Sequence, residues 1–217
     1  MESLRTLAQA LGIAYAAGIN LYAAVAVVGL AERLGWVGSL PGGLGVLGNT
    51  WVIVIAGLLY VFEFLATLVP GVASAWETFH SVIRPPAAAA LAAATMWDGD
   101  PILVLVAALL GGAFAVTTHT TKLGLRYAID TSPEPVTNGV ANIGELALVS
   151  VVGIAIWHHP FLTLLFAALV LVALILIVRL IWRVLRQVFA GRWMPGRGLL
   201  QEPRATPRPA PPPIDEP

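Results

Sequence analysis

"PILVLVAALLGGAFAVTTHTTKLGLR", residues 101–126, decides the fold class. An apolar run close to bilayer length passes, without a loop, into His119, Lys122 and Arg126 among four threonines. A hydrocarbon core needs about 20 apolar residues per helix. Windows of that kind recur at approximately 7–30, 47–68, 82–97, 101–118, 140–157 and 161–178. Their interiors are rich in Leu, Ala and Val without polar alternation, which fits helices and argues against a transmembrane barrel. Composition agrees: the chain is 58% hydrophobic and 11% charged, with a mean hydropathy of +0.85. A soluble domain carries about twice that charge. The reading is an all-α, multi-pass membrane protein, a helical bundle of about six transmembrane helices.

Basic residues give the expected orientation. If six helices alternate from a cytoplasmic N-terminus, Arg5, Arg84, Lys122, Arg126 and the seven arginines from Arg179 to Arg208 fall inside. Only Arg33 falls outside, a division of eleven to one. Both termini are therefore expected in the cytoplasm, with the protein in the inner (plasma) membrane. The segment MESLR has no net positive charge and Gln9 interrupts the run behind it, so an uncleaved first helix is expected. Residues 1–190 read as the transmembrane domain. Residues 191–217, rich in proline, read as a disordered cytoplasmic tail. Arg179, Arg183 and Arg186 share one helix face suited to lipid phosphates, so membrane lipids are expected partners.

Several chemistries are disfavoured. There is no cysteine, hence no disulfide or thiolate. Net charge is zero and no basic patch interleaves with aromatics, which argues against a nucleic-acid partner. No phosphate loop or nucleophile elbow is present, and no cofactor is expected.

Ionisable groups within apolar helices are expensive and tend to mark sites. Glu63 lies in "LLYVFEFLATLVP". Glu77, His80 and Arg84 sit at i, i+3 and i+7, one helix face. His119, Lys122 and Arg126 repeat that spacing, and Asn138, Asn142 and Glu145 form another stripe. Asn20 interrupts the first window just after Gly18. The expected substrate or ion pathway comprises Glu63, His80, Arg84, His119, Lys122, Arg126, Asn142, Glu145 and Asn20. Two structural alternatives stand beside it. Lys122 and Arg126 would simply stop a helix at the headgroups, and Glu63 or Glu145 would pair with Arg84 or Arg126 to fix helix register. A metal set of Glu63, His80, His119 and Glu145 is a remoter alternative, since no short ligand spacing supports it.

Prolines complicate the third window. After Pro85–Pro86 only about a dozen residues precede Asp98, too few to cross about 30 Å. Either the helix begins upstream near Ser74 with a kink, or the segment is a re-entrant half-helix. Pro133 and Pro135 similarly open the fifth helix. The two hairpins together suggest a degenerate internal repeat of the transporter kind.

Three stretches, "GINLYAAVAVVGLAERLGWVGSLPGGL", "EFLATLVPGVASAWETFHSVIRP" and "THTTKLGLRYAIDTSPEPVTN", resemble the prokaryotic membrane proteins grouped as domain of unknown function 4126. The resemblance covers about residues 10–160 and implies a small multi-helix membrane protein without an assigned activity. Glu63, His80, Arg84, His119, Lys122 and Glu145 match the pattern it implies. That pattern has Asp-Lys where this chain has Thr67-Leu68, Asp at Ala73, and an acid at Leu146.

The expected function is a carrier or translocase for a small anionic or lipid-linked substrate. In it Glu63 and Glu145 handle protons, and the basic residues hold the anion in a polar vestibule. The alternative is a non-catalytic scaffold whose charges pin helices together. A metal-dependent intramembrane enzyme stands third.

Overall fold

In the computed structural model of the chain, residues 1–69, 71–130 and 135–189 are described, and every regular element among them is a helix. The elements are α1 (Glu2–Ile19), α2 (Leu21–Arg33), a 3-10 segment (Gly42–Gly48), α3 (Thr50–Ala66), α4 (Val72–Thr95), α5 (Pro101–Asp130), α6 (Pro135–His158) and α7 (Pro160–Phe189). Met1–Arg179 form one compact unit; the chain from Leu180 belongs to a second, whose described part is the end of α7. The proline-rich stretch 191–217 and Pro133 lie outside the described residues.

Three helices are long and apolar enough to cross a membrane: Pro101–Ile129, Val136–His158 and Pro160–Gln187. A fourth span arises if the 3-10 segment and α3, bent by 73°, are counted together.

The first apolar window departs from expectation. It is two helices, and the chain doubles back between them at Asn20. Met1, Glu2 and Arg5 line the same cavity as Gly38, Ser39 and Pro41. Ile13 of α1 and Val28 of α2 both pack against Ile156. The break is held by three hydrogen bonds. Asn20 takes an extended backbone (φ −148°, ψ 106°), and its Oδ1 caps α2 by accepting from the Ala23 amide at 2.9 Å. That amide would otherwise bond the Ile19 carbonyl in a continuous helix. The Ile19 carbonyl instead accepts from Lys122 Nζ at 2.9 Å, a cation at a helix C-terminus.

Consequently Met1 does not lie opposite Asp98–Asp100. Glu2, Ser3 and Thr6 line a cavity with Asp98, Gly99 and Asp100, and Arg5 donates to the Trp157 carbonyl at 3.5 Å. This end of the bundle is called the upper end. The lower end holds the α3–α4 turn, where Gly71 takes φ +82°, and the end of α5.

The third window also resolves. α4 begins at Val72 and continues as one helix through Pro85 and Pro86, so it is no half-helix. Twenty-four residues at 1.5 Å each give about 36 Å, ample for a crossing. It misses the apolar criterion because its inward stripe, Ala73, Glu77, His80, Arg84, Ala88, Ala92 and Thr95, carries the charges. Its outward face keeps Phe79 and Val82 exposed. Pro85–Pro86 lie inside α4, whereas Pro135 opens α6, so the prolines of the two hairpins occupy different positions in their helices.

Small residues bring the helices together. A Cβ on Gly111 of α5 would stand 2.6 Å from Ala92 Cβ and 3.2 Å from Ala14 Cβ. A Cβ on Gly18 would stand 2.7 Å from Ala115 Cα. Lipid tails are as apolar as the side chains, so close backbone approach rather than water exclusion favours such contacts. α1 is buried almost continuously from Ala8 to Ile19 and is the axis of this packing.

Candidate functional site

Charged stripes from α3, α4, α5 and α6 converge in the lower half around Lys122. Its ammonium has three protons to donate. They reach the Ile19 carbonyl at 2.9 Å, Glu77 Oε1 at 2.8 Å and Glu145 Oε2 at 2.8 Å. Glu63 Oε1 stands further off, at 3.4 Å. Lys122 is only 6% exposed. On one side of it, Arg84 bridges two carboxylates, Glu63 Oε1 at 2.6 Å and Glu77 Oε2 at 2.5 Å. On the other side Arg126 Nη2 holds Glu145 Oε1 at 2.8 Å and also bonds Asn142 Oδ1, while Nη1 bonds Asn138 Oδ1 at 3.2 Å. Asn20 Nδ2 completes Glu63 with a 2.7 Å bond to Oε1. Three carboxylates thus meet three cations. A set balanced this way offsets most of the charge–burial cost that any one member would carry alone.

The histidines are fixed by their neighbours. Arg84 Nη1 lies 3.1 Å from His119 Nδ1, and a guanidinium only donates, so Nδ1 accepts. His119 Nε2–H then donates to Ser81 Oγ at 2.8 Å. His80 belongs to a separate arrangement. Its Nδ1 bonds the Trp76 carbonyl at 2.8 Å, so Nε2 accepts from Tyr22 OH at 3.2 Å. Trp76 stacks beside the ring with centroids 4.7 Å apart.

Of the residues expected to form a pathway, Asn20, Glu63, Arg84, His119, Lys122, Arg126, Asn142 and Glu145 share this one network, and His80 lies beside it. Lys122 and Arg126 do not stop at headgroups; both are buried. Glu63–Arg84 and Glu145–Arg126 do form ion pairs, as the register alternative expected. The metal set Glu63, His80, His119 and Glu145 does not assemble. Its acids face cations and its histidines face Ser81, Tyr22 and the Trp76 carbonyl. Among the described residues no three His, Asp or Glu side chains could hold a metal ion. An open polar vestibule is likewise not what surrounds Glu63, which is 2% exposed.

Glu77 is the main residue that the sequence underweighted. Its i, i+3, i+7 spacing with His80 and Arg84 was the available signal, and it proves fully buried beside Arg84 and Lys122. Thr67 had no signal of its own. Its hydroxyl donates to the Glu63 carbonyl at 2.8 Å and accepts from Asn142 Nδ2 at 2.9 Å, tying the end of α3 to α6.

The model of one family, described as Domain of unknown function (DUF4126), matches residues 7–180. The chain belongs to this family. The matched span contains the whole DUF4126 network, from Asn20 to Glu145. No curated protein and no solved structure matches the chain.

The network touches open space at one place. A cavity of about 300 Å3 between α1, α5, α6 and α7 is lined by Lys122 and Glu145, with Tyr15, Leu125, Leu148 and Leu171 among its walls. It meets the surface at Gly144, which is exposed on α6. Of the three acids Glu145 is the most accessible, its side chain 14% exposed against 3% for Glu63 and 0% for Glu77.

Proposed function

We propose that this protein is a carrier for a small anionic or lipid-linked substrate, working through exchange of partners around Lys122. One observation carries the reading: six ionised side chains are buried together at membrane depth beside a ligand-sized cavity. A buried ion-pair cluster is weak as a stabiliser, because well-packed apolar residues often serve as well or better. Its cost therefore suggests a use, and intramembrane charges ordinarily serve binding or translocation. Equal numbers of acids and bases allow pairs to be remade without stranding a net charge.

In the same proposal α3 to α7 cross the membrane five times, and α1–α2 enters from the upper end as a re-entrant hairpin tipped by Asn20. This replaces the six-span expectation. The arginines from Arg179 onward follow the last crossing in sequence, which puts the lower end at the cytoplasm of a prokaryotic plasma membrane by the positive-inside rule. The N-terminus is then outside. Because the chain lacks cysteine, single cysteines at Ser3 and Gly99 can be labelled one at a time in intact cells. Both should react from the same face, and labelling from opposite faces would restore the six-span topology.

Transport is tested in phosphatidylcholine proteoliposomes carrying a fluorescent single-chain phospholipid, with dithionite added to bleach the outer leaflet. Wild-type protein should make the protected inner pool accessible faster than protein-free vesicles do, and Lys122→Met should remove the gain. Equal rates with and without protein would defeat the carrier reading. The scaffold reading keeps one observation in its favour: Glu63, Glu77 and Arg84 find their ion-pair partners entirely within the chain.

A further inference from the structure

We propose that the cavity beside Lys122 binds a single-chain amphipathic anion whose head takes the place of Glu145 on Lys122 and Arg126. The inference rests on the carrier reading and assigns it a substrate class and a binding site. Four features of the cavity support it.

First, the three acids are held differently. Arg84 clamps Glu63 and Glu77, and neither lines the cavity. Glu145 gives one oxygen to Lys122 and the other to Arg126, each at 2.8 Å, and stands at the cavity wall. It is the one carboxylate that can leave without passing through another pair. An incoming carboxylate or phosphate presents the same two oxygens to the same two cations, so the exchange conserves the charge they meet.

Second, a polar group at the cavity is without a partner. Tyr15 lines the cavity, is fully buried, and its hydroxyl has no hydrogen-bond partner within the protein. A buried unpaired hydroxyl is costly, and a ligand oxygen would satisfy it. Arg126 Nε, on the guanidinium that holds Glu145, is likewise unpartnered.

Third, the remaining wall is apolar, with Leu125, Leu148, Leu171 and Leu174 facing the space. Charge at one edge and leucines around the rest match an alkyl chain with an anionic head and reject a bare inorganic ion. A volume of about 300 Å3 lies at the small end of ligand sites, which favours one chain over the two of a bilayer phospholipid.

Fourth, access is lateral. The cavity surfaces at Gly144, whose added Cβ would meet nothing within 4 Å. A bulkier residue there can fill the mouth without touching the ion network.

The test is calorimetric titration of decyl phosphate into wild-type protein in phosphatidylcholine nanodiscs, with heats from empty nanodiscs subtracted. Decanol and inorganic phosphate serve as the tail-only and head-only probes. Decyl phosphate should bind saturably and at least about tenfold tighter than either control. Gly144→Leu should weaken it by a similar factor with an unchanged melting temperature. Glu145→Gln, which weakens the resident competitor, should tighten it. Unchanged affinity in both variants, or equal binding of decanol, would overturn the site. Nanodiscs containing lysophosphatidate give a further arm. Reduced decyl phosphate affinity there assigns the ligand to the membrane, and unchanged affinity assigns it to the aqueous phase; either result presupposes the saturable binding already required. Binding as described without transport in the vesicle assay would remove the carrier reading and leave the site standing.

Discussion

Where α1, α4 and α5 meet in the upper half of the bundle, Ala14, Ala92 and Gly111 touch with little more than backbone between them. Lower down the same α4 and α5, two turns or more, the contact is between Arg84, Glu77, His119 and Lys122. The two regions use the same helices and opposite means. In the upper half, small side chains set the interhelix distance, and dispersion is gained because nothing bulky intervenes. In the lower half, long charged side chains span a wider gap, and each is stable there only because its partners are present. The small-residue contacts are individually tolerant of partial relaxation. The charged contacts are collective, so losing one member exposes the others. The difference implies that the upper half holds the helices in place, whereas the lower half is where partners can be exchanged.

Three substitutions would break or sharpen that contrast. The largest effect is expected for Arg84→Met, which leaves Glu63 and Glu77 buried without their shared guanidinium. Stability, followed by thermal unfolding in detergent, should fall by about 3–5 kcal/mol. Adding Glu63→Gln to Arg84→Met should recover part of the loss, since one stranded charge is then gone; no recovery would mean that the acids are not coupled through Arg84. An intermediate effect is expected for Gly18→Ala in the small-residue packing of α1 against α5. The new methyl would meet Thr118 Oγ1 at 2.0 Å and Ala115 Cα at 2.7 Å, so α1 and α5 must separate. The cost should be about 1–3 kcal/mol, and a Gly18→Ala protein as stable as wild type would show that this approach is slack. The smallest effect belongs to Val82→Ala, on the outward face of α4 and 77% exposed. Its melting curve should shift by no more than about 0.5 kcal/mol, and a loss comparable to that of Gly18→Ala would place an undetected contact on that face.

How much of this was legible beforehand differs residue by residue. The helical, membrane-suited class followed from apolar runs and their lack of alternation, because a chain in lipid must satisfy its backbone within each segment. The faces carrying Glu77–His80–Arg84, His119–Lys122–Arg126 and Asn138–Asn142–Glu145 followed from helical spacing, and all three stripes do turn inward. The partner of each group did not follow. Lys122 reaches α1, α4 and α6 at once, and helical spacing reports the direction a side chain takes without reporting what it meets. His80 shows the limit in the other direction, since a face shared with Glu77 and Arg84 still left its ring with Tyr22 and Trp76.

The sequence by itself determined that this protein is a bundle of membrane-suited helices with charge on inward stripes, because composition and period are local properties of a chain. Only the tertiary structure decided that the first apolar window turns back at Asn20. A hydropathy window records how apolar a segment is and carries no information on its direction. Reversal requires the Ile19 carbonyl to find a donor, and that donor is Lys122, 103 residues away. The same long-range bond joins the turn to the charged network, so the path of the chain and the site at its tip were settled together.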